Sequence, residues 1–342
     1  IAGGVSGGIW KSTDGGQSWT RRTRDDQLPM VSFVAQDPRP GFQDIWYYTT
    51  GERNGNSASD RGFQAAYYGH GMYRSTDNGD SWELITGTTG TITGFDSCFD
   101  YGIKVDVSPI SGTVFVATAV CGIFRSADGV TWSDFDPDLG AINQHSFSDV
   151  EVASDGTVYA VLSSTSLNSD PQENAPGIYE STDDGLTWTD ITPTEMPAFH
   201  DRTRLAVAPG NPDILYALVE GSNSSPNLLY IDRSEPANTE LRTNNIPDYS
   251  DEDPEPAGPG DMNLQGGYNM AIAVNPTNEN QVMIGGTNLF RSNDGFTTSP
   301  DLSTGWIGGY GPDDFLYPNH HPDQHIMFFD PNDPTRLFTG HD

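Results

Sequence analysis

The chain has 342 residues, of which 35% are hydrophobic, and carries 16 Lys and Arg against 48 Asp and Glu, a formal net charge of −32. Such a surface repels nucleic acid and anionic membranes, and no apolar run approaches the roughly 18 residues of a membrane-spanning helix. Seven Trp, 14 Tyr and 16 Phe are too many for a disordered acidic polymer.

The charge is lopsided: 36 Asp against 12 Glu, and 14 Arg against two Lys, Lys11 and Lys104. It suits divalent cations or a salty medium, and equally plain solubility. Asp also serves turns, where its carboxylate takes local backbone N–H groups. With 38 Gly and 24 Pro, a turn-rich fold raises the Asp count by itself.

In chain order, the first element is a short apolar run, "GIWKS" (8–12), entering the turn "STDGGQSW" (12–19). An alternating strand with a Pro turn, "VSFVAQDPRP" (31–40), follows. Next comes a long loop, "TGERNGNSASDRGFQAAYYGHG" (50–71), and then "GMYRS" leading into "STDNGDSW" (75–82). The run "IKVDVSPISGTVFVAT" (103–118) reads as a hairpin turning near Ile110–Ser111. Its flanking Cys98 and Cys121 then fall nearly opposite each other, close enough for a disulfide. Two free buried thiols are the alternative; a disulfide fits an oxidising, extracellular compartment. Further copies of the run and turn are "GIFRSADGVTW" (122–132), "GIYESTDDGLTW" (177–188) and "NLFRSNDGFTTS" (288–299).

The turn Ser residues stand at 12, 75, 126, 181 and 292. The last gap is about twice the others, and Ser234 in "LLYIDRSE" fills it without an Asp-Gly turn. The mean period is about 56 residues. Strand–Pro turn–strand segments precede most copies, as in "LAVAPGNPDILYALVEG" (205–221) and "MAIAVNPTNENQVMIGG" (270–286). Period-two alternation with no helical stretch means all-β. Two hairpins per period make four strands, one blade of a β-propeller.

In the octet "S-x-D-x-G-x-[ST]-W", Ser and Asp bond their own turn, and Gly accepts positive φ. This motif resembles the Asp-box, or BNR repeat, whose propeller families include sialidases, xyloglucanase-type glycoside hydrolases and sortilin. Segments 265–292 and 320–342 look most like secreted Bacteroidota propellers of the type IX secretion kind. That resemblance implies that the boxes lie on the blade periphery. Ser12, Asp14, Ser75, Asp77, Ser126, Asp128, Ser181, Asp183, Ser292 and Asp294 are then structural. In that family "GHD" runs on into the next box, so the chain is read as one propeller over 1–342, a window of a longer multidomain secreted protein. Five blades are whole; residues 1–22 and 325–342 give partial ones. The ring has six blades if the partial ones pair, seven if the chain continues.

Three segments could carry function. In "NHHPDQH" (319–325), His321, Asp323 and His325 alternate, so an extended backbone would put two imidazoles and a carboxylate on one face, a set able to hold a transition metal. Hydrogen bonding between neighbouring blades is the structural reading. The acidic stretch 247–261, with Asp248, Asp251, Glu252, Asp253, Glu255 and Asp261, lacks EF-hand spacing; it reads as a solvated insertion or a weak Ca²⁺ binder. The 50–71 loop offers Glu52, Arg53, Arg61, Tyr67, Tyr68 and His70, suited to stacking on sugar rings or a protein partner.

Hydrolysis would need two placed carboxylates; Asp323, Glu52 and the pair Asp313–Asp314 are the places to look. The sialidase "RIP" motif is absent. Xyloglucanase-type enzymes divide their acid and base between two facing propellers, and this chain holds at most one. The reading is therefore a secreted or cell-surface module binding protein or polysaccharide, with no chemistry of its own. The alternatives are a glycoside hydrolase with a missing second lobe and a structural component of a surface filament or assembly. No cofactor is called for beyond Ca²⁺ or another divalent metal, and neither nucleic-acid binding nor membrane insertion is expected.

Overall fold

A computed structural model describes residues 1–53, 67–134, 147–164, 176–247, 262–311 and 320–341. The chain divides into two compact units, Ile1–Ile191 and Thr192–Asp342.

The first unit holds four antiparallel sheets, each formed by strands consecutive in the chain. The first is three-stranded: β1 (Ala2–Gly4), β2 (Gly8–Lys11) and β3 (Thr20–Arg21). The others have four strands each. One is β4 (Phe33–Gln36), β5 (Trp46–Thr49), β6 (Met72–Ser75) and β7 (Glu83–Leu84). The next is β8 (Gly102–Val107), β9 (Val114–Thr118), β10 (Gly122–Ser126) and β11 (Ser133–Asp134). The last is β12 (Ser148–Val152), β13 (Val158–Leu162), β14 (Gly177–Ser181) and β15 (Thr189–Asp190).

The second unit has two four-stranded sheets and one hairpin. They are β16 (Thr203–Ala208), β17 (Asn211–Glu220), β18 (Pro226–Asp232) and β19 (Glu240–Leu241); then β20 (Ala271–Asn275), β21 (Asn278–Gly285), β22 (Leu289–Ser292) and β23 (Trp306–Gly308); then β24 (Gln324–Asp330) with β25 (Asp333–His341). The α-helix among the described residues is a single turn, Leu302–Gly305.

Alternation explains the stacking. A strand sends successive side chains to opposite faces. In β9, Val114 and Val116 enter the cluster shared with Tyr47 and Met72, while Phe115 and Ala117 enter the one shared with Val150 and Val158. In β20, Ile272 and Val274 pack with Tyr216 and Leu218, while Ala271 and Ala273 pack with Met327 and Phe329. Each such sheet is thus apolar on both faces and is covered by a neighbour on each. The first strands of successive sheets touch within each unit: β4 with β8, β8 with β12, β16 with β20, β20 with β24. The β24–β25 hairpin differs. Its second face carries Phe328 and Phe338, stacked at 5.2 Å and 50% and 38% exposed.

The Ser-x-Asp turns follow the third strand in the four-stranded sheets that carry them, and the second strand, β2, in the three-stranded sheet. Ser75 Oγ donates to Asp77 Oδ1 at 2.7 Å and accepts Gly79 N at 2.8 Å, and Asp77 Oδ1 accepts Ser81 N. The same pattern recurs at Ser12–Asp14, Ser181–Asp183 and Ser292–Asp294. The shorter copy keeps Ser126 Oγ on Asp128 and drops a residue of the turn. At the diverged position Ser234 turns backward and donates to Asp232.

The turns also grip the preceding sheet. Asp184 accepts Ser111 Oγ at 2.6 Å and Arg125 Nη2 at 3.0 Å, while Arg125 Nε donates to its carbonyl. In the second unit, Arg242 Nη1 donates to Gly295 O and Asn245 Nδ2 to Phe296 O.

Candidate functional site

The loops entering the first strands and leaving the second strands gather at one end of each unit. In the first unit, Glu52 and Tyr67 pair through both backbone hydrogen bonds, 2.9 and 2.8 Å, and so close the base of the long loop. This sets an aromatic cluster. Tyr68 lies 5.5 Å from Tyr101, Phe95 stacks on Tyr101 at 5.7 Å and 14°, and the Arg53 guanidinium sits 5.9 Å over the Tyr101 ring. Tyr101 is buried, whereas Tyr67 and Phe95 are 47% and 44% exposed. His70 is half-buried, its Nδ1 2.6 Å from Gly90 O. Arg61 lies outside the described residues.

Tyr101 is held from below. Cys98 and Cys121 are joined in a disulfide, Cα to Cα 5.6 Å. It ties the short 3-10 turn Cys98–Tyr101 to the turn between β9 and β10. Asp100 Oδ2 accepts the N–H groups of Asp96 and Ser97, which fixes the segment carrying Phe95. The Asp100 carboxyl is raised by burial.

Below this end, a charge cluster lies between β8 and β12. The buried Lys104 ammonium contacts Glu151 and lies 3.8 Å from Asp149. Asp106 accepts Val107 N and Val152 N. Burial pushes Asp106 and Glu151 upward, and Lys104 opposes it. One cation serves three carboxyls, which reads as a bond between neighbouring sheets.

In the second unit the corresponding end is polar. Glu220, 4% exposed, closes β17; its backbone pairs with Arg202 and Asp201. Arg202 Nη1 donates to Gly267 O and Tyr268 O. Burial, then the Asp201 charge, raises the Glu220 carboxyl to about 7. Asn269 Nδ2 donates to Asp323 Oδ1 at 2.7 Å, and Gln324 Nε2 to His321 O at 2.9 Å.

The three alternating residues do not form a ligand set. Asp323 has φ +69°, so the backbone between His321 and His325 is not extended and the period-two argument fails there. Asp323 turns to Asn269, His325 sets its ring edgewise to Tyr268 at 4.7 Å, and His321 Nδ1 lies 3.0 Å from Pro322 O. The imidazoles that do approach one another are His320 and His341, 4.8 Å apart. Among the described residues no group of three or more His, Cys, Asp or Glu side chains is placed to hold a metal ion. Asp313, Asp314 and the acidic residues Asp248 to Asp261 lie outside the described residues.

Sequence reasoning missed Phe95, Tyr101, Glu220, Asn269 and Gln324. For Tyr101 a signal existed: it follows Cys98 by three residues, so a cross-link there would fix it. The others depend on burial and long-range packing, which no local pattern carries.

No protein-family model matches the chain, and no curated protein matches it in sequence. Solved structures do. It aligns with the GH74 xyloglucanase from Xanthomonas campestris at TM-score 0.63 and 17% identity, covering 98% of this chain and 48% of that one. For the GH74 enzyme of Niastella koreensis the TM-score is 0.60, with 17% identity and coverage of 98% and 48%. For PorZ, a surface component of the type IX secretion system of Porphyromonas gingivalis, it is 0.52, with 16% identity and coverage of 89% and 38%. The chain spans under half the length of each of these proteins. The likeness defines the class: a β-propeller-like fold built of four-stranded antiparallel sheets. No helix among the described residues is long and apolar enough to cross a membrane.

Proposed function

We propose that this chain is an extracellular or cell-surface propeller module that binds polysaccharide and does no chemistry of its own. The observation that carries this reading is the aromatic end of the first unit. Phe95 and Tyr67 offer exposed rings, Tyr101 backs Phe95, Arg53 lies over the Tyr101 ring, and Tyr67 is fixed by its backbone bridge to Glu52. A pyranose presents an apolar C–H face to such rings and hydroxyls to a guanidinium or carboxylate. The Ser-x-Asp turns are read as Asp-boxes with a structural role. The disulfide suits an oxidising compartment, and the fold is shared with a surface component and with xyloglucanases.

The test is retention on immobilised polysaccharides or a glycan array, with reducing ends assayed in parallel. Binding without release is expected, and Phe95→Ala with Tyr67→Ala lowers affinity about thirtyfold, since each exposed ring contributes on the order of 1 kcal/mol. A double variant that binds as tightly as the parent overturns the assignment to this end.

A hydrolytic reading is favoured by one feature, the buried Glu220 carboxyl, which burial and the Asp201 charge raise to about 7, so that a large fraction is protonated near neutrality. A general acid needs that property. Release of reducing sugar that Glu220→Gln abolishes would establish it in place of simple binding.

A further inference from the structure

We propose that the second unit binds one Ca²⁺ ion through the side-chain oxygens of Asn269, Asp323 and Gln324. Three observations converge. Asn269 and Gln324 are both 0% exposed, and each uses its amide nitrogen: Asn269 Nδ2 on Asp323 Oδ1, Gln324 Nε2 on His321 O. That leaves Asn269 Oδ1 and Gln324 Oε1 buried without a hydrogen-bond donor. Rotating either amide does not help, because it would set an oxygen against the carboxylate or carbonyl now receiving the N–H. Buried amide oxygens are ordinarily satisfied, and orphans call for an ion or water.

The second observation is backbone strain. Asp323 holds φ +69°, in the left-handed region that a non-glycine residue rarely adopts, and its side chain is 6% exposed. Such a conformation persists where surrounding structure enforces it, often at a binding site. The third is preorganisation. Asn269 N bonds Leu264 O, Gln324 N bonds Gly286 O, and Thr287 N bonds Asn263 O, so the loops carrying the three side chains are tied together.

The donors are all oxygen: two neutral amide carbonyls and one carboxylate. That set selects a hard cation. Ca²⁺ accepts irregular oxygen cages, whereas Mg²⁺ demands near-ideal octahedral geometry and keeps its waters. Neither imidazole nor thiolate is needed, which separates this site from a transition-metal site. The formal charge of −32 concentrates cations at the surface.

The experiment is calorimetric Ca²⁺ titration of the whole chain after EDTA treatment, with thermal midpoints recorded with and without Ca²⁺. One site tighter than the weak surface binding is expected, together with a Ca²⁺-dependent rise in midpoint. Asp323→Asn should weaken that site at least tenfold while leaving the EDTA midpoint no lower than the parent's. Gln324→Met, of similar volume, should weaken it in the same direction and serves if the first variant fails to fold. Parent protein without a tight site, or both variants keeping the parent's affinity, overturns the proposal. So does an Asp323→Asn variant that is less stable in EDTA yet binds Ca²⁺ unchanged, because the carboxylate would then be a structural hydrogen-bond partner alone.

Discussion

Glu220 sits against Gly267 with its carboxyl out of water, and the cost of charging it there raises it to about 7. The unfolded chain releases that proton near the ordinary value of 4.5. Between these values the folded state binds more protons at this site, so the Glu220 contribution to stability is full below about pH 4.5 and declines as pH rises toward 7. Glu220→Gln should remove that slope and leave the protein about 1–3 kcal/mol more stable than the parent at pH 8. Denaturant melts at pH 5 and 8 measure it, and parallel slopes for the two proteins would refute the cause. The turn carboxylates behave oppositely. Asp14 is held down to about 2 by Ser18, and Asp183 to about 2 by Thr187. Their contribution is present above the ordinary carboxylate range and is lost as pH falls from about 4 toward 2.

At the scale of elements, the turns after β14 and β22 join sheets as well as ending a hairpin. Asp184 is the clearest case, gathering Ser111, Thr113 and Arg125 of the preceding sheet. Asp184→Ala strips those partners of a shared acceptor and should cost about 1–3 kcal/mol in denaturant melts, with the far-ultraviolet spectrum unchanged. A loss below 0.5 kcal/mol would mean that apolar stacking alone fixes the sheets. The hairpins and their Ser-x-Asp turns were legible in the sequence because turn chemistry and strand alternation are local properties. The aromatic end was half legible: the 50–71 loop names Arg53, Tyr67 and Tyr68, but Phe95 and Tyr101 come from a segment thirty residues on. The extended backbone expected across His321–Asp323–His325 is broken by a single dihedral, Asp323 at φ +69°. Alternation assumes an extended backbone, and nothing in "HPDQH" announces a left-handed Asp. Asn269 and Gln324 were invisible because their interest lies in what burial denies them.

At the scale of the molecule, the charge of −32 opposes compaction through mutual repulsion, and added salt screens it over a Debye length of about 10 Å at 0.1 M. The thermal midpoint should therefore rise by several degrees between about 0.02 M and 0.5 M NaCl, measured with EDTA present so that divalent ions play no part. A flat or falling midpoint would mean that the attractive pairs, such as Lys11 with Asp80 and Arg39 with Asp37, outweigh the repulsion.

The stacked Phe328 and Phe338 pair has a bearing on how the protein behaves at high concentration. An acidic coat keeps molecules apart in dilute buffer, but the same salt that strengthens the fold weakens that coat while leaving the oily strip between the two rings intact. Crowded, salty solutions should then turn cloudy well before the protein unfolds, and exchanging both rings for threonine is the direct way to keep them clear.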